Sequence, residues 1–330
     1  MNGGTLILTR RDVAALLSIE ECTKAVEDVF RLYGEGKTQT PGVLGVHAHE
    51  GGFHIKAGVL QLNRSYFAAK INANFPQNPK RLGLPTIQGV IVLSDAGNGY
   101  PLAVMDSTEI TGQRTAAATA VAAKYLARPE SKTLTICGCG IQGRVSLRAL
   151  TGLFPLEQVF AYDIDSTRSE KFANDLSAEL AIAIKPVTQL EGAALQSDIC
   201  VTCTPSRQFF LKPEHIAPGT FIAAVGADNE DKQELDPTLL GRSKVVADLV
   251  EQCATIGELH HALDQKVMNK DQVHAELGEV VAATKPGRTS NDEVIVFDST
   301  GMALQDVVTS ALVYEKAKQQ GAGTTIEMSG

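Results

Sequence analysis

The sequence predicts an α/β fold, in which a doubly wound parallel sheet follows a smaller region of antiparallel strands. Three observations support this prediction. Short apolar segments alternate with helical segments in the middle of the chain. A glycine-rich motif directly follows the first of these apolar segments. In the first third of the chain, apolar and polar residues alternate with a period of two. A chain of 330 residues is long enough for two domains of ordinary size.

Composition and charge exclude several classes of protein. With 44% hydrophobic and 21% charged residues the chain has a globular composition, and no apolar run reaches the roughly 18–20 residues that span a bilayer. The N-terminus has no basic stretch leading into an apolar segment, so we expect no signal peptide, no membrane partner and a cytoplasmic protein. A net charge of −8 argues against nucleic acid as a partner.

The cysteines and clustered histidines raise the question of a metal site. Cys200 and Cys203 have CxxC spacing, but they lie in an apolar segment without a second pair, so we expect free thiols packed on a strand. His47, His49 and His54 precede Lys56, and no carboxylate or cysteine follows them at a familiar ligand spacing. We therefore expect no bound metal.

The first third is predicted to be an antiparallel sheet with one helix, which could form half of an α+β domain. A capping box at Ser18 and Glu21 begins the helix, and apolar residues recur at helical spacing up to Gly34. Alternation and turn residues then predict strands. The predicted strands are Val43–His49, Phe53–Gly58, Tyr66–Phe75, Ile87–Leu93 and Pro101–Met105, and a further strand, Thr5–Leu8, precedes the helix.

The rest of the chain alternates helices with short apolar strands, which is typical of a parallel sheet. An alanine-rich helix over Thr111–Ala127 comes first. The predicted strands are Thr133–Cys137, Gln158–Tyr162, Ile199–Cys203, Phe221–Val225, Val245–Ala247 and Val294–Phe297. A last helix over Met302–Lys318 has one apolar face, and the small polar residues from Gly321 onward are expected to fray.

A dinucleotide-binding motif opens this second region. Gly138, Gly140 and Gly143 follow the strand Thr133–Cys137 in GxGxxG spacing, and a helix begins at once. The first glycine permits a tight turn, the second lets the backbone approach a pyrophosphate, and the third lets the helix pack close to the sheet. Free N–H groups at the helix N-terminus would bind the phosphates. The sequence therefore predicts a Rossmann domain.

An acidic residue indicates which dinucleotide is bound. Asp163 ends the next predicted strand, at the spacing expected of the carboxylate that binds the adenosine ribose hydroxyls. A carboxylate at this position would repel the 2′-phosphate of NADP. NAD is therefore the predicted cofactor, and NADP is disfavoured.

Several further segments, in their order and spacing, match a known family. They are Lys70 with Pro76-Gln77-Asn78, the segments GLPTIQG (83–89) and TGQRTAA (111–117), the GCGIQG loop, Gly226-Ala227-Asp228 with Lys232 and Glu234, and FDSTG (297–301). From about Val13 to Leu312 the chain resembles the ornithine cyclodeaminase/μ-crystallin family, which includes archaeal-type alanine dehydrogenases and ketimine reductases.

The resemblance implies a domain arrangement and a reaction. Residues 1–113 and 302–330 would form an α+β substrate-binding and dimerisation domain built from both chain ends. Residues 114–301 would form the NAD-binding Rossmann domain, with the active site in a cleft between the two. Hydride would pass between the nicotinamide and the α-carbon of a small amino or imino acid, in a homodimer. Such a site needs a cationic clamp for a carboxylate and an acid or base near the nitrogen.

The resemblance also assigns roles to individual residues. Arg114, at the start of its predicted helix, would bind the substrate carboxylate and also contact cofactor phosphates. Lys70 would bind the carboxylate or the nitrogen and share in catalysis, and Asp228, just after the strand Phe221–Val225, would bind the amino nitrogen. A solvated arginine, a strand lysine reaching water and a turn aspartate are the ordinary alternatives. Further cofactor contacts are expected from Ile141, Gln142, Thr86, Thr202 and Ser299.

One segment departs from the family pattern. The family usually has an arginine just after a proline in the early strands, whereas this chain has Gly42 after Pro41. Lys56 stands where the family often has methionine, and we suggest that it replaces the lost positive charge. A lysine is a point charge and controls geometry less than a guanidinium does. The departure therefore bears on the substrate more than on the class of reaction.

Three functions remain open at this stage. The leading hypothesis is an NAD-dependent oxidoreductase, with alanine dehydrogenation, reductive amination of 2-oxo acids and reduction of cyclic imines as candidate reactions. The second is ornithine cyclodeaminase activity, a lyase reaction that uses NAD catalytically and regenerates it. The third is a crystallin-like binding protein without catalysis, against which the presence of Lys70, Arg114 and Asp228 argues.

Overall fold

The computed structural model describes residues 4–328, which fall into two compact units. Unit 1 contains the chain up to Arg114 together with the chain from Met302 onward, and unit 2 contains Thr115–Gly301. No helix in the part of the chain that the structure describes is long and apolar enough to cross a membrane.

The helices and strands follow one another along the chain as follows. Up to residue 126 they are β1 (Thr5–Leu8), α1 (Arg10–Leu16), α2 (Ile19–Gly34), β2 (Gly42–Ala48), β3 (Gly51–Gln61), β4 (Ser65–Asn74), α3 (Asn78–Arg81), β5 (Ile87–Asp95), β6 (Pro101–Asp106) and α4 (Ser107–Leu126). Then come β7 (Thr133–Cys137), α5 (Ile141–Thr151), β8 (Gln158–Tyr162), α6 (Ser166–Leu180), β9 (Ala183–Val187), α7 (Leu190–Ala194), β10 (Ile199–Thr202), β11 (Arg207–Leu211), β12 (Phe221–Ala224), β13 (Gln233–Leu235), α8 (Pro237–Gly241) and β14 (Lys244–Ala247). The last are α9 (Val250–Ile256), α10 (Glu258–Asp264), β15 (Ala275–Glu276), α11 (Leu277–Val281), β16 (Ile295–Asp298), α12 (Ala303–Gln320) and β17 (Thr324–Ile326).

Unit 1 is built on a seven-stranded sheet in the order β17-β1-β6-β5-β4-β3-β2. The predicted antiparallel strands are present, but β1 pairs parallel with β6, so the sheet is mixed. The expectation that the tail after Gly321 frays is wrong, because Thr324–Ile326 forms β17 and pairs with β1. The edge of β1 that faces away from β6 offers backbone groups with which β17 pairs, and a threonine-rich segment fits an edge strand.

The helices of unit 1 cover this sheet. In α2 the predicted capping box between Ser18 and Glu21 is present, and the apolar stripe is buried as expected. Helix α12 packs against α2 and against strands β3 and β4.

Helix α4 begins earlier than the sequence indicated. The Asp106 carboxylate accepts the backbone N–H groups of Thr108 and Glu109, both at 3.0 Å, and so caps a helix that starts at Ser107 rather than Thr111. Arg114 therefore lies well inside the helix and not at its start.

Unit 2 is built on an eight-stranded parallel sheet in the order β15-β14-β16-β12-β10-β7-β8-β9. The central strands β10, β12 and β16 are buried along their whole length, which explains their unbroken apolar sequences. Strands β8 and β9 extend the sheet on one side of β7, while β10 begins the other side. The chain therefore reverses direction next to β7, where sheets of this type bind ligands.

Candidate active site

The glycine motif of unit 2 adopts the turn that its spacing predicts. Gly138 directly follows β7 with a φ of +105°, a conformation that residues with a Cβ rarely adopt. A Cβ at this position would lie 2.9 Å from the carbonyl oxygen of Cys203. Glycine is therefore required here by both the backbone angle and the neighbouring loop.

The next two glycines have different surroundings. A Cβ at Gly143 would collide with the carbonyl oxygen of Gly138, so a glycine is needed for the close approach of α5 to the turn. A Cβ at Gly140 would meet nothing within 4 Å. Gly140 is the N-cap of α5 and provides no side-chain cap, so the first N–H groups of the helix remain available to an anion. This loop has the geometry that a dinucleotide pyrophosphate needs.

Asp163 lies directly after β8 and holds the glycine loop in place. One carboxylate oxygen accepts the backbone N–H of Cys139 at 2.9 Å, and the other accepts that of Asp165 at 3.0 Å. The structure thus gives Asp163 a structural contact that the sequence did not suggest. Its predicted contact with a ribose uses lone pairs of the same two oxygens.

The other predicted cofactor residues are spread over both units. Thr202 ends β10 and is wholly buried, and the Gln142 amide in α5 lies 3.3 Å from the Ser146 hydroxyl. Ser299, after β16, is also buried and donates its hydroxyl to Asp248 at 2.8 Å. Thr86 belongs to unit 1, where it is half-buried before β5.

A buried cluster of charges forms the centre of unit 1. Lys70 on β4 donates to the Asp306 carboxylate of α12 at 2.9 Å, and the Nε of Arg114 on α4 donates to the same carboxylate at 3.2 Å. The Nη1 of Arg114 donates to the side-chain oxygen of Gln305 at 3.1 Å. Three elements that are distant in sequence thus bring two cations to one carboxylate.

A third cation lies beside these two. Lys56 on β3 is directly opposite Lys70 in the antiparallel pair, so both side chains leave the same face of the sheet. Lys56, Lys70 and Arg114 are 7%, 3% and 5% exposed. We refer to these three cations with Gln305 and Asp306 as the cation cluster.

The cluster changes the ionisation of its own members. Burial lowers the pKa of Lys70 to about 7, and the positive charges of Arg114 and Lys56 act in the same direction against the opposing charge of Asp306. Burial alone would raise the pKa of Asp306, but Lys70 and Arg114 hold it below its ordinary value. Lys70 can therefore gain or lose a proton near neutral pH, whereas Asp306 stays ionised.

Asp228 lies in unit 2, in the loop after β12. Its side chain is 49% exposed and accepts the Lys232 ammonium at 2.6 Å. The Lys232 carbonyl in turn bonds the ring of His261 at 2.8 Å. The structure thus brings Lys56, Lys70 and Arg114 together within unit 1, and it places Asp228 on a different unit with a lysine partner of its own.

The chain is similar to known proteins along nearly its whole length. Residues 4–321 match the model of the ornithine cyclodeaminase/mu-crystallin family. The chain belongs to this family. It is 39% identical over 324 residues to the alanine dehydrogenase of Archaeoglobus fulgidus, which covers 98% of each chain.

Solved structures of family members superimpose on nearly the whole chain. One is an archaeal alanine dehydrogenase dimer with bound NAD, at a TM-score of 0.94 and 40% identity over 98% of this chain and 99% of that chain. Another is the Δ1-pyrroline-2-carboxylate reductase of Thermococcus litoralis with NADH and L-proline. It has a TM-score of 0.90 and 36% identity over 98% of this chain and 100% of that chain.

Two members of the cation cluster were not predicted from the sequence of this family member. Asp306 and Gln305 are wholly buried on α12, a helix for which the sequence indicated only an apolar face. The available signal was the pair of polar residues in MALQD, at the start of an otherwise apolar helix. An aspartate is almost never buried without a partner, so Asp306 in this segment could have been recognised as a member of a buried ion pair.

Unit 2 also contains four carboxylates whose burial the sequence did not reveal. Glu234, Asp248, Glu258 and Asp298 are each no more than 1% exposed. Burial raises the pKa of Asp298 to about 7 and that of Glu258 well above its ordinary value. We call these four residues the carboxylate network.

The network is satisfied mainly by backbone N–H groups. Asp298 accepts Leu259 N–H at 2.8 Å, and Glu258 accepts the N–H of Glu234 at 2.7 Å. Asp248 accepts the N–H of Gly301 at 2.6 Å. The bonds of Asp248 and Asp298 brace the loops at the carboxyl ends of β14 and β16. No group of three or more potential ligands among residues 4–328 could hold a metal ion.

Proposed function

We propose that this member of the family is an NAD-dependent oxidoreductase that acts on the C–N bond at the α-carbon of a small amino or imino acid. The observation that carries the proposal is the buried cation cluster, in which Lys70 and Arg114 share the carboxylate of Asp306. Desolvated cations with one shared carboxylate form a receptor for an anionic ligand. Relatives named for this reaction include alanine dehydrogenase and pyrroline-2-carboxylate reductase, and all their substrates carry a carboxylate.

Within unit 1, Arg114 and Lys70 would hold the α-carboxylate of the substrate. A guanidinium binds a carboxylate in a planar, two-point geometry, and Asp306 with Gln305 fixes its orientation from behind. Lys70 would also move a proton at its Nζ, because its pKa of about 7 leaves both forms populated at neutral pH. Lys56 adds the positive charge that Gly42 does not supply.

Within unit 2, the N–H groups after Gly140 would bind the pyrophosphate of NAD, and Asp163 the adenosine ribose. Bound NAD supplies hydride acceptance and donation at its nicotinamide. We propose Ile141, Gln142, Thr202 and Ser299 of unit 2, and Thr86 and Arg114 of unit 1, as further contacts of the cofactor. Asp228 would bind the amino nitrogen of the substrate, whose charge changes in the reaction.

A glycine substitution tests the cofactor site without disturbing the fold. Gly140→Ala adds a methyl group that meets no protein atom but occupies the path of a pyrophosphate, so NADH affinity should fall at least tenfold. Gly192→Ala is the matched control, since its new Cβ also meets nothing. Affinity is measured by NADH fluorescence. Equal affinity of both variants and the wild type would rule out this loop as the pyrophosphate site.

Substrate assays test the reaction itself. NADH absorbance is followed with pyruvate plus ammonia, with pyrroline-2-carboxylate and with ornithine in turn. Oxidation of NADH by an oxo or cyclic imino acid supports the proposal. Ammonia release from ornithine without net change in NADH would instead establish the cyclodeaminase reaction, and NADH binding without any turnover would favour a binding protein.

We also propose that the protein is a homodimer. One face of the unit 1 sheet carries an exposed apolar row in which Leu44, Ile55, Ile71 and Val90 lie opposite one another across four strands. Leu44 and Val90 are 57% and 42% exposed. An exposed apolar patch on a soluble sheet indicates a partner surface, and a related alanine dehydrogenase is a dimer.

Light scattering of two matched variants tests the dimer. Leu44→Asp places a charge in the apolar row and should yield monomers at micromolar concentration. Val43→Asp, one residue away on the opposite face and 45% exposed, should leave the dimer intact. A monomeric wild-type protein, or dissociation of both variants alike, would contradict this surface.

A further inference from the structure

One carboxylate of the network joins two loops at the edge of the sheet where the cofactor would bind. Glu234 on β13 is wholly buried. Its Oε1 accepts the backbone N–H of Thr204 at 2.6 Å and the hydroxyl of the same residue at 2.7 Å. Its Oε2 accepts the backbone N–H of Gly226 at 3.0 Å. Thr204 follows β10 and Gly226 follows β12, which are neighbouring strands, so one side chain ties together the loops that leave them.

The bond to Gly226 closes the neck of the loop that carries Asp228. Gly226 and Glu234 stand at the two ends of this loop, and the ion pair of Asp228 and Lys232 lies between them in the sequence. A Cβ at Gly226 would lie 2.4 Å from Oε2 of Glu234 and 2.5 Å from the carbonyl oxygen of Thr204, so the closed neck leaves no space for a side chain. The placement of Asp228 therefore depends on Glu234.

The loop after β10 contacts the glycine motif. The thiol of Cys203 donates to the carbonyl oxygen of Gly138 at 3.3 Å, and the carbonyl group of Cys203 is the neighbour that excludes a Cβ at Gly138. The backbone of Glu234 is anchored as well, because its N–H donates to Glu258 at 2.7 Å. Glu234 thus connects the Asp228 loop to the loop that packs against the proposed pyrophosphate site.

The chemistry of these contacts requires an acid. An ionised carboxylate accepts hydrogen bonds at both oxygens, whereas a carboxamide offers one acceptor and one donor. Glu234 receives two donors from Thr204 and one from Gly226, and all three are neutral. Burial raises the pKa of Glu234 against the lowering effect of these bonds, which reflects the cost of an ionised group in this place. A residue that served only to fill the core would be apolar.

We propose that Glu234 is a positioning residue, which holds both loops and so sets where the Asp228 carboxylate stands relative to the bound dinucleotide. This inference rests on the proposed function, in which Asp228 binds the reacting nitrogen. Glu234 acts from behind the loop, since its oxygens are used by backbone and hydroxyl donors. A displacement of about 1 Å in a reacting group can cost roughly 100-fold in rate, so a loosened neck should appear in kcat.

An amide substitution with a matched control tests the proposal. In Glu234→Gln the remaining acceptor serves Thr204, which presents two donors, and the amide nitrogen faces the N–H of Gly226. For the amino or imino acid that the wild type turns over, kcat should fall at least about tenfold, while the Kd of NADH, measured by fluorescence, should change less than about threefold. Asp198→Asn is the control. Asp198 also accepts two backbone N–H groups, at 2.7 and 3.0 Å, but at the amino end of β7. Its substitution should lower the free energy of unfolding and change kcat less than about threefold.

A double-mutant cycle separates positioning from a general loss of structure. If Glu234 acts through Asp228, then Glu234→Gln should lower kcat less than about threefold in a protein that already carries Asp228→Asn. Equal losses in both backgrounds, an unchanged kcat in Glu234→Gln, or a loss of NADH affinity as large as the loss of kcat would overturn the inference and leave the proposed function intact.

Hydrogen exchange of the wild type needs no variant to fold. The amide of Gly226 should exchange as slowly as the amides of the buried strand β12, because its hydrogen bond to Glu234 closes the neck. Fast exchange at Gly226 would show that the neck opens in solution, and it would also overturn the inference. Absence of turnover by the wild type with every amino or imino acid would contradict the proposed function, and the inference with it.

Discussion

The cation cluster of unit 1 and the carboxylate network of unit 2 use buried charge in opposite ways. In the network, each carboxylate accepts backbone N–H groups, so its hydrogen-bonding capacity is used within the protein. In the cluster, Lys70 and Arg114 share the carboxylate of Asp306, and the side-chain nitrogen of Gln305 has no hydrogen-bond partner among residues 4–328. Buried charge satisfied by backbone braces a fold, whereas buried charge left in excess is a receptor for a ligand.

Asp228 belongs to neither group, and its substitution should have the largest effect. Its carboxylate is half-exposed and accepts the side-chain ammonium of Lys232. Asp228→Asn keeps the shape but removes the charge opposite the substrate nitrogen, so kcat should fall by about two orders of magnitude or more. Steady-state kinetics measure this. Asp231→Asn in the same loop is the control, and equal activity of the two variants would show that Asp228 has no catalytic role.

Removal of a cation from the cluster should reduce function and spare stability. Arg114→Ala should raise KM about 10- to 100-fold through the loss of charge-assisted bonds to the substrate. It also relieves the repulsion between Arg114 and Lys70, and Lys70 continues to compensate Asp306, so the free energy of unfolding should fall by less than the roughly 3–5 kcal/mol that loss of a buried ion-pair partner ordinarily costs. Urea denaturation measures the second quantity. A large loss of stability would mean that Arg114 is a structural partner of Asp306 and would break the contrast between the two regions.

The sequence predicted the glycine motif, β7, α5 and the parallel sheet because these depend on residues close together in the chain. Spacing alone gives the reason for each glycine, and the structure agrees at Gly138 and Gly143. The partners of Lys70 and Arg114 could not be found in this way. In the sequence, the whole of unit 2 separates Asp306 from Lys70 and Arg114. Asp306 contacts these two residues only because both chain ends fold into unit 1.

The predicted start of helix α4 and the predicted fraying after Gly321 were wrong for a related reason. The sequence predicts a strand that ends at Met105 and a helix that begins at Thr111. The Asp106 side chain instead caps a helix that starts at Ser107, so Arg114 lies inside the helix and not near its start. The tail after Gly321 lacks an apolar pattern, and β17 exists because β1 offers an edge to pair with. In both cases a tertiary or side-chain contact overrides the local pattern.

The carboxylate network should make the stability of the protein depend on pH. Burial raises the pKa of Asp298 to about 7, so the folded state binds more protons than the unfolded state between about pH 4 and pH 7. The free energy of unfolding should therefore fall as the pH rises through this range. Asp298→Asn should flatten the dependence while activity per folded molecule changes less than threefold. Urea denaturation between pH 5 and 8 measures it, with the exposed Asp264→Asn as control, and an unchanged slope would contradict the assignment.

Asp163 both braces the backbone and, in our proposal, binds a ligand. Its substitution should have the smallest effect on activity of the variants considered. Its carboxylate accepts the N–H of Cys139 within the glycine loop, as a network carboxylate would, and we also assign it to the ribose of the cofactor. Two variants separate these roles. Asp163→Asn keeps an oxygen for the Cys139 N–H but removes the charge that repels a 2′-phosphate, so the preference for NAD over NADP should narrow severalfold with little change in NAD affinity. Asp163→Ala removes the loop contact as well and should weaken both cofactors, by about 1 kcal/mol or roughly fivefold for one hydrogen bond. The measurement is kcat/KM for NADH and NADPH. An unchanged ratio in both variants would leave Asp163 with its structural bonds to Cys139 and Asp165 alone, and it would not be the residue that selects the cofactor.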